Sequence, residues 1–184
     1  MIFLSATSGE LAILDWIQEH MRCDVLDWFL PRFTLLANSG IFWVFVTLLL
    51  LSIKPYRSWG VEMAIALTLC LFIGNGVLKP LIARVRPFDA NPAALLIATP
   101  PTDYSFPSGH TYSSFAAATV LLFHKKSWGA IAVIMASIIA FSRIYLYFHY
   151  PSDVLAGMIL GIAIGALAHY SVQIVQKKRH AQKG

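Results

Sequence analysis

The sequence is short of charge. Only 12% of its 184 residues are Asp, Glu, Lys or Arg, against about 25% in an ordinary soluble domain. With 58% hydrophobic residues and a mean hydropathy of +0.67, it argues against a soluble fold and for an integral membrane protein. Cysteine is equally scarce. Cys23 lies in a polar segment and Cys70 in an apolar one, so the pair is expected at different depths and no disulfide is expected. Metal-binding Cys/His spacing is absent, which speaks against a zinc site. The first residues lack the basic stretch that opens a signal peptide. No internal repeat or low-complexity tract interrupts the chain, and residues 1–184 read as one domain.

What the sequence does have is long apolar runs. Given roughly 20 residues per crossing, five stretches qualify as spans: 33–53, 61–79, 108–123, 128–148 and 152–175. The expected fold is therefore all-α, a polytopic membrane helical bundle. Residues 1–32 precede it as an interfacial region. Within it, Leu11, Leu14, Trp16 and Ile17 alternate with Glu10, Asp15 and Glu19, a pattern for an amphipathic helix lying in the membrane interface. A helix packed on the bundle is the alternative. Residues 88–106 form a long external connection, stiffened by Pro92, Pro100 and Pro101. Long ordered loops often cover a site, so a cap is expected, with a passive loop as the alternative. In the last span, Gly157, Gly161 and Gly165 repeat every four residues. Such a stripe lets helices approach closely, here within the chain rather than across a homodimer.

Lys54, Arg57, Lys125, Lys126, Lys177, Lys178, Arg179 and Lys183 all fall on one side of this five-span arrangement. By the positive-inside rule that side is the cytoplasm, which includes the basic tail, 176–184. The start of the chain is then external.

Ionisable residues within membrane segments are costly and call for a function. Three groups stand out, and the assigned spans place all of them at the external ends. Lys79, Arg86 and Pro87 follow the second span. Pro107-Ser108-Gly109-His110 opens the third. Ser142-Arg143, His149 and Asp153 join the fourth to the fifth. Ser108 suits a helix N-cap, which leaves the amides of Gly109 and His110 at a helix N-terminus, a natural anion site. Lys79, Arg86 and Arg143 add positive charge suited to phosphate oxygens. Each cation alone reads as a side chain snorkelling to the interface, and Arg84 is read that way; three beside two histidines are not. Asp153 stands four residues after His149, close enough to fix its tautomer and leave the other ring nitrogen to attack. His110 remains as the acid for the leaving oxygen. His20, His124, His169 and His180 receive no role.

Taken together, Lys79-x6-Arg86-Pro87, Pro107-Ser108-Gly109-His110 and Ser142-Arg143-x5-His149-x3-Asp153 resemble the three-part signature of the type 2 phosphatidic acid phosphatase superfamily. The resemblance implies a metal- and cofactor-independent lipid phosphatase working through a phosphohistidine. It makes His149 the nucleophile, Asp153 its partner and His110 the general acid and base. Lys79, Arg86, Ser108, Gly109 and Arg143 would hold the phosphoryl oxygens. Small size and an outward site look most like a bacterial undecaprenyl-diphosphate phosphatase of the cytoplasmic membrane, taking a lipid phosphate from the outer leaflet and no nucleic acid. Phosphatidylglycerol phosphate or phosphatidic acid as substrate is the nearest alternative. A non-catalytic lipid-phosphate binder is the alternative of another class, and a small transporter a further one.

Overall fold

The computed structural model describes residues 2–35 and 40–182. It is all-α among these residues. In chain order the helices are α1 (Ile2–His20), α2 (Asp24–Leu35), α3 (Ile41–Ser52), α4 (Arg57–Leu69), α5 (Lys79–Ile82), α6 (Pro87–Ala90), α7 (Gly109–His124), α8 (Lys126–Tyr145) and α9 (Pro151–Ala181). Between α4 and α5 the chain stays helical but widens to π geometry over Cys70–Leu78.

Helix α7 is the centre of the bundle. Ala116, Ala117, Ala118 and Val120 are wholly buried. It packs against α9, α8 and α4. The α9 face is the glycine stripe. A side chain at Gly157 would stand 2.9 Å from the Ser108 carbonyl, and one at Gly165 2.7 Å from that of Ala116; at Gly161 it would collide with the Tyr112 carbonyl. The stripe thus closes an internal seam, as the sequence predicts. On the other side, Trp43 of α3 is buried and donates its indole N–H to Ser114 Oγ at 2.9 Å.

Among the described residues, three helical stretches are long and apolar enough to cross a membrane: Lys54–Ala90, Lys126–Tyr145 and Pro151–Lys178. They match the second, fourth and fifth expected spans, and the protein is a multi-pass membrane protein. The first expected span, 33–53, is described only in part. Its start belongs to α2, residues 36–39 lie outside the described residues, and its apolar part is the 12-residue α3. The third is the 16-residue α7, whose N-terminus lies inside the fold because the segment before it is folded over the site.

Helix α1 begins earlier than the amphipathic pattern and packs on the bundle. Leu14 and Ile17 are buried, while Ile13 and Trp16 remain about half exposed. Leu14 sits with Tyr147 and Tyr150, and Asp15 accepts a hydrogen bond from the Tyr147 hydroxyl at 2.6 Å. Cys23 is exposed, Cys70 is buried, and both thiols are free.

Candidate active site

The π segment ends directly at Lys79, whose amide donates back to the Gly74 carbonyl. Such widened turns are frequent at functional sites. Gly74 also makes room for the Tyr112 ring, which a side chain there would strike. Lys79 is thereby held in the interior, only 7% exposed. Pro80 follows it, and Ala83, with φ of 47°, ends the short helix and releases an extended run to Arg86. Pro87 then starts α6 at its first position, where a missing N–H costs nothing.

Arg86 is almost fully buried. Its Nη1 donates to the Phe148 carbonyl at 2.7 Å and lies 3.2 Å from His149 Nε2. Its Nε donates to the Asp103 carbonyl at 2.6 Å and its Nη2 to Asp103 Oδ1 at 2.5 Å. The other Asp103 oxygen accepts from Lys79 Nζ. Burial works against the charged form of Asp103, but Lys79 and Arg86 outweigh it and hold its carboxyl below the usual range. A carboxylate of this chain therefore stands where two of the expected phosphate ligands converge. The Asp103 side chain is 52% exposed.

Ser108 occupies the N-cap position of α7 with extended backbone angles, as expected. Its side chain makes no capping bond; instead Ser108 Oγ accepts from the Thr111 hydroxyl at 2.9 Å. Gly109 comes next. A Cβ there would lie 3.9 Å from Lys79 Nζ, so the helix end and the ammonium face each other at close range. His110 lies close enough to Arg143, His149, Lys79 and Arg86 to feel their charges. It lines a cavity of about 610 Å³ together with Lys79, Asp103, Gly109 and Ser113.

The loop between α8 and α9 carries the remaining residues. The carbonyl of Arg143 accepts from the amides of Phe148 and His149, at 3.0 and 3.2 Å, which folds the loop back and buries His149. Its Nδ1 faces Asp153 Oδ2 at 3.6 Å, somewhat beyond hydrogen-bond length. Its Nε2 therefore points at Arg86. Burial is the main reason the imidazole stays neutral; Arg86 and Arg143 add to it against Asp153, and its pKa falls from the ordinary 6.5 to about 3. A neutral ring with Nε2 turned toward the cations is the form a nucleophile needs.

Arg143 stacks over Phe148 with its guanidinium carbon 4.8 Å from the ring centre and donates from Nη1 to Thr34 Oγ1 at 2.9 Å. Its Nε is buried and, like His149 Nδ1, finds no hydrogen-bond partner among the described residues. Asp153 is the opposite case. Oδ1 accepts from Arg84 at 2.5 Å, and Oδ2 accepts from the Ser105 hydroxyl at 2.5 Å and the Tyr150 amide at 3.0 Å. Its backbone carbonyl accepts from the Ser108 amide at 3.1 Å, which ties the second motif to the third.

The structure thus gathers the eight predicted residues, Lys79, Arg86, Ser108, Gly109, His110, Arg143, His149 and Asp153, at one end of the bundle. It also adds residues the sequence reading passed over. Arg84 does not snorkel. It bridges Asp153 to Glu10 of α1, at 2.5 Å on each side, and stacks on Tyr150. Glu10 in turn accepts from the Ser152 amide at 2.8 Å. Asp103 and Ser105 belong to the proline-stiffened connection, which does fold over the site. Asp103 had one legible signal, as the lone acid in residues 91–107.

The chain is also similar to known proteins. A profile described as the PAP2 superfamily matches residues 57–177. The chain is 39% identical over 133 residues to an undecaprenyl-diphosphatase of Sulfolobus acidocaldarius, covering 72% of this chain and 63% of that protein. It is 33% identical over 150 residues to a lipid A 4'-phosphatase of Bacteroides thetaiotaomicron, covering 73% and 64%. The chain therefore spans somewhat under two thirds of both relatives. Among solved structures, a transmembrane PAP2-type phosphatidylglycerolphosphate phosphatase from Bacillus subtilis superposes with a TM-score of 0.74 at 26% identity, covering 95% of this chain and 87% of that one.

Proposed function

This chain belongs to the PAP2 superfamily, and on that premise we propose that it is a lipid phosphatase that works through a phosphohistidine on His149. The observation that carries the reading is the convergence around His149 Nε2. Arg86 stands 3.2 Å from that nitrogen, with Lys79 and the start of α7 across the same gap and the buried, unpartnered Arg143 Nε close by. A phosphoryl group would satisfy all of them.

In the first step a phosphoryl oxygen displaces Asp103 from Lys79 and Arg86. The N–H of Arg86 then passes from His149 Nε2 to the substrate and frees the lone pair. Nε2 attacks phosphorus in line, a P–N bond forms, and the P–O bond to the leaving group breaks. The cations and the α7 N-terminus stabilise charge on the equatorial oxygens, which is usually the largest catalytic term. His110 protonates the leaving oxygen, a contribution of roughly 10²–10⁴-fold. In the second step His110 takes a proton from water, the resulting hydroxide attacks phosphorus, and inorganic phosphate leaves His149. These residues supply the charge, so neither step is assigned to a metal or cofactor.

The cavity supports a lipid substrate. Beyond its polar end, its wall is Val44 of α3, Leu67 of α4 and Leu71 of the π segment, and Val44 and Leu71 are exposed on the outside of the bundle. An acyl or prenyl chain can lie there while the phosphate reaches Lys79. The preferred substrate is undecaprenyl diphosphate, supported by the name of the Sulfolobus relative. Phosphatidylglycerol phosphate is the second reading, supported by the Bacillus structure. The charge asymmetry supports a site opening outward from the cytoplasmic membrane, with the C-terminus in the cytoplasm. Phosphate release by detergent-purified protein from undecaprenyl diphosphate, phosphatidylglycerol phosphate, phosphatidic acid and a lipid A phosphate ranks these substrates. Release from none of them would contradict the proposal and favour a binding protein.

A further inference from the structure

A second cluster of ionisable groups lies at the other end of the bundle. Glu62 is wholly buried on α4. His124, the last residue of α7, places Nε2 2.7 Å from Glu62 Oε2, and His169 of α9 places Nδ1 2.9 Å from the same oxygen. The other oxygen, Oε1, is buried without a hydrogen-bond partner among the described residues. All the candidate ligand atoms lie within 4.8 Å of one another. The rings are fixed in place: His124 stacks on Trp59 at 4.7 Å and His169 on Phe123 at 4.2 Å. Helix α7 runs from Gly109 to His124, so this cluster is about 22 Å from the phosphate site at 1.5 Å per residue.

A buried carboxylate is costly unless it is fully paired. Two imidazoles sharing one oxygen leave the pairing incomplete, since Oε1 has nothing. We propose that Glu62, His124 and His169 bind a divalent cation of the zinc class, which joins α4, α7 and α9 at this end of the bundle. The donor set is two imidazole nitrogens and one carboxylate, with a fourth position left for water. Bonds of about 2.0–2.1 Å in a tetrahedron put ligand atoms about 3.3–3.4 Å apart, so Glu62 Oε2, now 2.7 and 2.9 Å from the two imidazole nitrogens, draws back by about half an ångström to admit the ion. The set suits zinc and its transition-metal neighbours rather than magnesium, which takes oxygen ligands. The imidazoles keep 12% and 13% of their side-chain surface exposed, which leaves an entry path. Sequence spacing gave no hint, because the ligands are 62 and 45 residues apart. The proposal stands whether or not the chain is a phosphatase.

The test is zinc titration of full-length protein in detergent, without a polyhistidine tag and stripped by chelator, against a competing chromophoric chelator. One zinc per chain is expected, with a dissociation constant below about 1 μM and no competition from magnesium. Glu62→Gln and His169→Gln should each weaken binding by about 100-fold or more, while Asp24→Asn should not change it. Zinc should also raise the thermal unfolding midpoint of the wild type but not of Glu62→Gln. Absence of tight binding to the wild-type chain overturns the site, and so does either ligand variant that folds and binds as tightly as wild type.

Discussion

Arg84 Nη1 lies 2.5 Å from Asp153 Oδ1, and this pair fixes the carboxylate that faces His149. Asp153 is wholly buried and Arg84 nearly so. The guanidinium also holds Glu10, so α1 is latched to the same carboxylate. Arg84 does not reach the cavity; it is a positioning residue. Arg84→Ala should lower kcat by about 100-fold through misplacement of Asp153 and His149, with KM changed far less. Arg84→Lys should recover part of the loss. Steady-state kinetics on the two variants separates this from a binding role, in which KM would rise and kcat would hold.

In the proposed mechanism Asp103, which pairs with Lys79 and Arg86, competes with substrate for both cations. Asp103→Asn keeps the shape and removes the charge. Its KM, and its inhibition constant for inorganic phosphate, should fall by about tenfold, equivalent to about 1.4 kcal/mol. An unchanged inhibition constant would mean that the carboxylate moves aside at no cost. Since the Asp103 pKa is depressed in the folded protein, the contact contributes fully above the ordinary carboxylate range. It is lost only as pH falls through the lower folded value.

His149 makes stability depend on pH. Its folded pKa, about 3, lies below its ordinary 6.5, so between those values the unfolded chain binds the extra proton. Stability therefore rises with pH across that window and is lost as pH falls toward 3. In His149→Gln this contribution disappears. The unfolding midpoint plotted against pH between about 6.5 and 3 should be flatter for the variant than for wild type.

Gly161 sits where α9 meets the backbone of α7, and a Cβ there collides with the Tyr112 carbonyl. Gly161→Ala should destabilise the fold by about 1–3 kcal/mol, the usual cost of overpacking. Gly9→Ala is the control. Nothing lies within 4 Å of a Cβ at Gly9, and its helical position favours alanine, so its midpoint should be unchanged or slightly higher. Thermal unfolding in detergent compares the two.

How much of this was legible follows from the range of each signal. The residues of the three motifs carry their chemistry in short spacings, and the apolar runs between them dictate which ends of the helices they occupy. The Gly157-Gly161-Gly165 stripe is likewise a local period, and α9 packs by it. Arg84 was misread because its partners, Glu10 and Asp153, are 74 and 69 residues away, and no local pattern distinguishes a latch from a snorkelling cation. Asp103 and Ser105 act through the fold of a proline-rich loop, which has no period to read. The π widening over Cys70–Leu78 corresponds to no local period in the sequence.

The most direct test is to trap the phosphoenzyme. His110→Ala removes the base for the second step, while in the first step undecaprenyl phosphate is a leaving group acidic enough to depart without its acid, so mixing this variant with undecaprenyl diphosphate radiolabelled at the terminal phosphorus and quenching in alkali should leave acid-labile, alkali-stable label on His149. The label should be absent from the His110→Ala/His149→Ala double variant, and His149→Ala alone should lack turnover while still folding. Turnover by His149→Ala near the wild-type rate, or label on another residue, would contradict the assignment of His149 as the nucleophile.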